Sequence, residues 1–285
     1  MAWKSWQLTF TLRTPLHIGY HKIGNVQRTR YYLPARNLWG ASTERLTRGG
    51  FSAEGAAEGN YKAIGQWVKD HCVFSYFFLC ESEKLLNPHY EDEGLHYGDL
   101  DAYAFERRFL FSHVTTALDA ATTSAETGSL HEVEFIAPHE HLDEQPVQLR
   151  GYLFLDDVAQ KRQDELWKRL QTLQVGGERR YGFGQLRLKD EEDDSLPDDY
   201  TWLLNGTRPR LTVPPGKPLL AHTLAQGVDA RGQLEPLVGR ETSESGKFGR
   251  HLTSAGIYWT PGTILNTSLT LFINSNGVWE KMPTP

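Results

Sequence analysis

The alternation of apolar and polar positions opens on a strand. Trp6, Leu8, Phe10 and Leu12 alternate with Gln7, Thr9, Thr11 and Arg13, the period of a half-buried β-strand. Thr14-Pro15 and Gly19 end it. Pro34-Ala35-Arg36-Asn37-Leu38-Trp39-Gly40-Ala41 then leads into a helix reaching about Thr47, stopped by Gly49-Gly50. Residues 51–60 form a Gly/Ala/Glu-rich linker. Residues 61–71 predict a helix with Ile64, Trp67 and Val68 on one face, and 73–79 a short apolar strand. Residues 81–104 read as an acidic loop. Residues 107–118 and 129–136 predict two strands of a long hairpin around a Thr/Ser/Ala-rich tip, 120–128. A further strand, 145–155, alternates through Val147, Leu149, Gly151, Leu153 and Leu155. Residues 158–174 predict a helix with Leu166, Trp167, Leu170 and Leu173 as its apolar stripe, and 185–189 a strand. The run 190–199 reads as a solvated acidic linker. Beyond it, short strand signals fall at 210–213, 218–224, 256–259 and 268–273.

The order β-α, insertions, β-β, β-α-β predicts an α+β protein with a ferredoxin-like, RRM-like core. That core spans residues 1–190, with insertions at about 51–105 and the hairpin at about 107–136. After the acidic linker, 190–200, residues 201–285 read as a second, mostly β piece packed on the first.

A hydrophobic content of 39% is enough for a core and excludes a disordered chain. The net charge of −6 excludes a simple basic DNA-coating protein. The charge is unevenly placed, however. Between Tyr20 and Arg48, Lys22, Arg28, Arg30, Arg36, Arg45 and Arg48 face Glu44 alone, a local +5. Between Glu81 and Asp101 seven acids face Lys84. A local basic surface is what phosphate binding needs; the bland alternative is a solvated face. Two cysteines, Cys72 and Cys80, make neither a disulfide framework nor a zinc pattern and suggest a reducing compartment. Met-Ala-Trp-Lys-Ser-Trp lacks a signal peptide's apolar core, and no apolar run approaches the roughly 18 residues of a membrane span. A cytoplasmic protein with no membrane partner is expected.

The strongest local feature is Val175-Gly176-Gly177-Glu178-Arg179-Arg180-Tyr181-Gly182-Phe183-Gly184. Glycines let backbone turn through positive φ and approach a ligand closely. Backbone N–H groups can cradle phosphate, the two arginines add charge, and the aromatics can stack on bases. Three readings compete. A dinucleotide loop follows a strand and opens a helix, whereas this one follows a predicted helix and opens a strand; no Gly-Lys-Ser/Thr ending makes it a P-loop. A structural turn is always open to clustered glycines. RNA contact is favoured over it by the adjacent Arg-Arg-aromatic residues.

This loop resembles the signature glycine-rich loop of the RAMP superfamily, CRISPR-associated RNA-binding subunits with ferredoxin-like cores. Thr14-Pro15-Leu16-His17-Ile18-Gly19 followed by Tyr32-Leu33-Pro34-Ala35-Arg36-Asn37-Leu38-Trp39-Gly40-Ala41 resembles the family's first strand, first loop and first helix start. Leu118-Asp119-Ala120-Ala121-Thr122-Thr123-Ser124-Ala125-Glu126-Thr127-Gly128-Ser129-Leu130-His131-Glu132-Val133-Glu134 resembles the segment around its protruding hairpin, or thumb. The matches occur in the family's order across most of residues 5–190. The resemblance implies a subunit of a CRISPR effector complex, of type III, that binds guide RNA (crRNA), with target RNA and the other effector subunits as further partners. Backbone subunits of type III often cut target RNA with an aspartate in the first loop; here residues 19–33 contain no Asp or Glu. The segment 245–262 more loosely resembles the last part of the subunits that cap the guide's 5′ handle. Together these point to a non-catalytic, handle-capping subunit, with a backbone subunit as the alternative.

The candidate RNA-binding residues are His17, Gly19, Tyr20, His21, Lys22, Arg28, Arg30, Arg36 and Asn37, then Thr122 and Thr123 of the hairpin. Gly176, Gly177, Arg179, Arg180, Tyr181, Gly182, Phe183 and Gly184 of the loop follow, with Lys247 and Arg250 near the end. Arg36 and Asn37 stand at a helix N-terminus, where phosphate binds. No metal, cofactor or catalytic residue is expected. His139 and His141 lack zinc-type spacing, and Asp119 has no partner set by sequence. Since several RAMP relatives process guide RNA with histidine, a ribonuclease using His17 or His21 as general base is a second reading. A scaffold docking a neighbour through the acidic 81–101 segment is a third.

Overall fold

The computed structural model describes residues 2–53, 59–81, 84–193, 195–241 and 251–282. The chain opens with β1 (Lys4–Leu12) and a hairpin of β2 (Gly19–Ile23) and β3 (Val26–Thr29). Helices α1 (Ala35–Arg48) and α2 (Tyr61–His71) lead to β4 (Cys72–Phe74) and β5 (Phe78–Glu81). Next come β6 (Lys84–Leu85), β7 (Pro88–Glu91), β8 (Gly94–Tyr97), β9 (Leu100–Asp101) and α3 (Ala102–Phe109). The long hairpin consists of β10 (Leu110–Thr115) and β11 (His131–Ile136). It is followed by β12 (Gln148–Leu155), α4 (Asp157–Gln160), α5 (Gln163–Leu170), β13 (Thr172–Gln174) and β14 (Gln185–Asp193). Strands make up the rest: β15 (Thr201–Leu203), β16 (Arg210–Val213), β17 (Thr223–Leu224), β18 (Ala230–Arg231) and β19 (Leu234–Glu241). After these come β20 (His251–Trp259), β21 (Ile264–Leu265), β22 (Leu269–Ile273) and β23 (Trp279–Lys281).

The fold is mixed α+β. Its first sheet runs β13-β14-β1-β12-β5-β6, with β4 also on β12. β1 lies between antiparallel β12 and β14, in a register that pairs Phe10 with Leu149 on one side and Leu188 on the other. β12 is buried from Leu149 to Leu155, which explains its nearly unbroken apolar run. Helix α1 buries Leu38, Ala41, Ser42 and Leu46 and ends at Gly49, whose N–H donates to Arg45 O. Arg45 and Arg48 in its last turn suit the helix dipole. Asn60 caps α2 by accepting from the Ala63 N–H. Gly65 lets α2 close onto α1: a Cβ there would lie 3.2 Å from Thr43 Cγ2. Trp39 Nε1 donates to Gly65 O at 3.0 Å.

The predicted strand at the start and the helices at 34–47 and 61–71 are observed; four other expectations change. The helix expected over 158–174 is two short helices and a strand. Buried Asp156 caps α4 through the Val158 and Ala159 N–H groups, the chain breaks at Lys161–Arg162, and Leu173 belongs to β13. Leu166 and Leu170 carry the helical period, whereas Leu173 and Val175 alternate as a strand does. Residues 107–109 end α3 instead of starting a strand. The acidic segment 81–104 is largely ordered, with β7-β8-β9 as a three-stranded sheet. The linker at 190–199 begins as the continuation of β14 to Asp193, which pairs with Trp6.

The C-terminal strands form a second seven-stranded sheet, β15-β16-β22-β23-β17-β20-β19. Its Leu211, Leu271 and Trp279 join the same contiguous core as Leu8 and Phe10. The tightest junction is Gly277, at φ 77°, where an added Cβ would lie 2.1 Å from Ala35 Cβ at the start of α1.

Gly151, in the middle of β12, is crossed by the Phe77 ring: a Cβ would fall 2.4 Å from Phe77 Cδ2. Phe77 is fully buried and packs 5.9 Å from Phe10. Gly151→Ala is therefore expected to cost about 1–3 kcal/mol by overpacking, read as a lowered urea midpoint with unchanged slope.

Candidate nucleic-acid interface

The glycine-rich segment is a hairpin connection between β13 and β14, because the element before it is a strand and not the expected helix. Its glycines have specific tasks. Gly184, at φ 77°, donates its N–H to Pro15 O at 2.7 Å, and an added Cβ would lie 1.8 Å from Val175 O. Gly176, at φ 80°, lies against the first segment: a Cβ would meet His17 O at 2.4 Å. Gly177 N–H donates to His17 O at 2.8 Å. The loop is thus clamped to residues 15–17 by backbone, and Gln174 Nε2 bridges it internally to Arg179 O and Phe183 O, both at 3.0 Å.

That clamp narrows the amide-cradle expectation. The N–H groups of Gly177, Tyr181, Gly182, Phe183 and Gly184 all donate to carbonyls within the fold. What the loop offers outward is side chains. Tyr181 is 81% exposed and Arg180 is exposed beside it. Arg179 is paired with Glu44, and Phe183 packs edge-on against Phe135 at 5.5 Å.

The predicted first loop is mostly the β2–β3 hairpin, turning at Gly24-Asn25. Its β3 pairs in parallel with β11, so the first segment and the long hairpin share one sheet, β10-β11-β3-β2. A Gly-Asn pair between two runs of hairpin-forming residues is the signal that could have found it.

A cleft of about 380 Å³ opens where several segments meet, Tyr76, His222 and the 276–278 turn among them. Gly19 and Tyr20 come from β2, Pro34, Arg36 and Asn37 from the start of α1, Gly176 and Gly177 from the glycine-rich loop, and Pro236 and Val238 from β19. Pro34 supplies no side-chain cap, and although Asn37 N–H donates to Pro34 O at 3.0 Å, α1 turns the positive end of its dipole toward this cleft.

Beneath it lies a buried polar circuit. Arg30, 13% exposed, donates to Glu235 Oε1 at 2.7 Å and to Tyr32 Oη at 2.9 Å. Burial lowers the pKa of His222, so its neutral ring donates from Nε2 to Glu235 Oε1 at 2.6 Å and accepts Tyr76 O–H at Nδ1, also 2.6 Å. Burial alone would raise the pKa of Glu235; the hydrogen bonds from His222 and Arg30 overcome it and hold the carboxyl at about 2. Tyr20 stacks on the Arg30 guanidinium, 4.5 Å from its ring centre.

Of the sequence candidates, Gly19, Tyr20, Arg30, Arg36, Asn37, Gly176 and Gly177 meet at this cleft, and His21 and Lys22 follow on the exposed β2. Four candidates change role. His17 is 4% exposed, with Nδ1 2.7 Å from Glu134 O, and braces the loop instead of facing a ligand. Arg28 pairs with Glu134 at 2.7 Å, Arg30 is neutralised by Glu235, and Arg179 is paired with Glu44. Part of the local positive charge counted along the sequence, at Arg28 and Arg30, is therefore neutralised by acids from distant segments. Thr122 and Thr123 sit at the exposed hairpin tip, where Asp119 accepts from the Ala121 and Thr122 N–H groups, apart from the cleft. Lys247 and Arg250 lie outside the described residues. Sequence reasoning missed Tyr76, His222, Glu235, Pro236 and Val238; no local signal marks them, because they reach the site from distant segments.

A largely antiparallel α+β fold with a glycine-rich hairpin clamped beside its first strand defines the class. The family model of the RAMP superfamily matches residues 9–187, and the chain belongs to that superfamily. No curated protein matches the sequence. Its fold is similar to a chain in the cryo-EM structure of the Type III-B Cmr-beta bound to cognate target RNA and AMPPnP. That match has a TM-score of 0.57 and 10% identity over 91% of this chain and 85% of that chain. Chains of Cmr-beta bound to cognate target RNA and in its apo state align at a TM-score of 0.44, with 12% and 11% identity, over 65% of this chain and 96% of theirs.

The polar circuit makes the fold acid-sensitive. Glu235, at about 2 against an ordinary 4.5, contributes stability that is complete above 4.5 and lost as pH falls toward 2. His222, lowered from 6.5, acts in the same direction below 6.5. Glu235→Gln is expected to cost about 3 kcal/mol at neutral pH by stranding Arg30, and to flatten the acid limb of a plot of urea midpoint against pH.

Proposed function

We propose that this chain is a guide-RNA-binding structural subunit of a type III CRISPR effector complex, seated at the guide's 5′ handle and holding RNA without cutting it. We read the β14-β1-β12-β5 order, with α1 and α5 in the crossovers, as the ferredoxin-like core of residues 1–190, and residues 201–285 as a second unit. One observation carries the functional reading: the α1 start, β2 and the glycine-rich hairpin converge on a single cleft. A phosphate there gains the α1 dipole and Arg36, while Arg180 and Tyr181 offer charge and a stacking face to the adjoining nucleotides. RAMP membership and the likeness to a Cmr-beta chain, whose complex holds cognate target RNA, support the same reading. Other subunits of such a complex are its protein partners.

Two features favour the handle end and a holding role. β19 of the second sheet walls the cleft on one side, which suits the end of a strand better than a strand passing through. Residues 19–33 contain no carboxylate, and the His17 ring is buried against Glu134 O, away from any substrate.

Co-expression with guide RNA tests the proposal. Arg180→Ala with Tyr181→Ala is expected to weaken guide-RNA binding at least about thirtyfold, since stacking and a charged contact each contribute about 1–3 kcal/mol. Crosslinks from the cleft should map to the 5′ handle, and repeat or target RNA should stay intact in Mg²⁺ and in EDTA. Unchanged RNA recovery rejects RNA binding at this site, interior crosslinks reject the capping position, and cleavage rejects the holding role.

A further inference from the structure

A second groove of about 490 Å³ shares no lining residue with the cleft. It lies between α1 and the β13–β14 hairpin and is lined by Arg13, Arg45, Arg48, Arg179 and Arg187, with Glu44 as the single acid. We infer that this groove binds the phosphodiester backbone of single-stranded RNA, extending the strand held in the cleft; the inference rests on the RNA-binding reading of that cleft.

The guanidinium groups are arranged by the fold. Leu12 pairs with Leu186 and Thr11 with Arg187, and Arg13 N–H donates to Gln185 O at 2.8 Å. With a side-chain period of two, Arg13 and Arg187 therefore emerge on one face at neighbouring positions. Both are exposed, and neither guanidinium has a partner among the described residues. Glu44 pairs with Arg48 at 3.0 Å and with Arg179, holding those two forks against the helix while leaving the groove strongly positive. Arg45 is fixed by a 3.2 Å hydrogen bond to Arg169 O.

The lining selects the ligand class. Its apolar members, Ala41, Leu173 and Leu186, are buried, so the groove presents no aliphatic or aromatic anchor. Protein interfaces are built around such anchors and depleted of charge at their centres. Nucleic-acid interfaces are polar and positive, and arginine forks match phosphate oxygens in pairs. Helix α1 also supplies continuity: Arg36 at the cleft and Arg45 at the groove are about 14 Å apart along its axis, the scale of a few nucleotides. Exposed Tyr181 stands next to Arg179 and Arg180 on the loop between the two sites.

The experiment uses the full chain, fluorescently labelled single-stranded RNA, and polyglutamate of matched charge. Arg13→Ala with Arg187→Ala, both exposed, is expected to weaken RNA binding about tenfold. It should also reduce the slope of log affinity against log salt by about 0.7 for each phosphate that is no longer neutralised. Arg180→Ala with Tyr181→Ala reports separately on the glycine-rich loop. If the loop variant loses RNA while the groove variant keeps both affinity and slope, the groove proposal is overturned and the cleft reading stands. If the wild type binds no RNA, both fail. If polyglutamate binds the wild type as tightly as RNA does and the groove variant loses it equally, the groove takes an acidic protein segment and the RNA assignment is overturned.

Discussion

The site depends on one buried ion pair. Arg30 leaves the first hairpin and meets Glu235 Oε1 on β19 of the other sheet; His222 bonds to the same oxygen, and the Tyr32 and Tyr76 hydroxyls bond to Arg30 and His222. A charge taken so far from water is tolerated only when paired and bonded. The pair therefore specifies where the two sheets meet as much as it stabilises them. Because both partners lie under the cleft, the position of its β19 wall relative to α1 follows from that geometry. Acids from distant segments, Glu134 and Glu235, pair with Arg28 and Arg30, while Arg180 stays exposed on the glycine-rich loop.

The glycine-rich hairpin illustrates a second constraint. Its glycines are required by the close approach of residues 15–17 and Val175, so the loop is a rigid support before it is a binding element. Held by backbone, the loop presents Arg180 and Tyr181 from a fixed base, and under the proposed RNA-binding role such preorganised groups lose less entropy on binding.

Much of this architecture was legible along the chain. The period-two pattern of Trp6 to Leu12, the helix beginning after Pro34 and the 61–71 helix follow from local patterning, and the structure contains them. The glycine cluster marked a loop whose Gly176 and Gly177 line the cleft. The sequence was less informative where partners are remote. Arg28 and Arg30 looked available because Glu134 and Glu235 lie far along the chain. His17 looked like a loop residue because its burial depends on backbone from Gly176 and Gly177. The expected helix at 158–174 failed at its end, where Leu173 satisfies a helical stripe and a strand alternation equally well and pairing with Leu186 decides between them. The cleft wall from Pro236 and Val238 had no local mark, since a site between two sheets is a property of their docking.

The parallel pairing of β3 with β11, through Val26 with Glu132 and Gln27 with Val133, has a mechanical consequence. It splices the projecting hairpin to the strand that carries Arg30 toward the buried carboxylate. The hairpin and the segment that enters the cleft are thus parts of one four-stranded sheet, coupled through backbone pairing and not merely by side-chain contact.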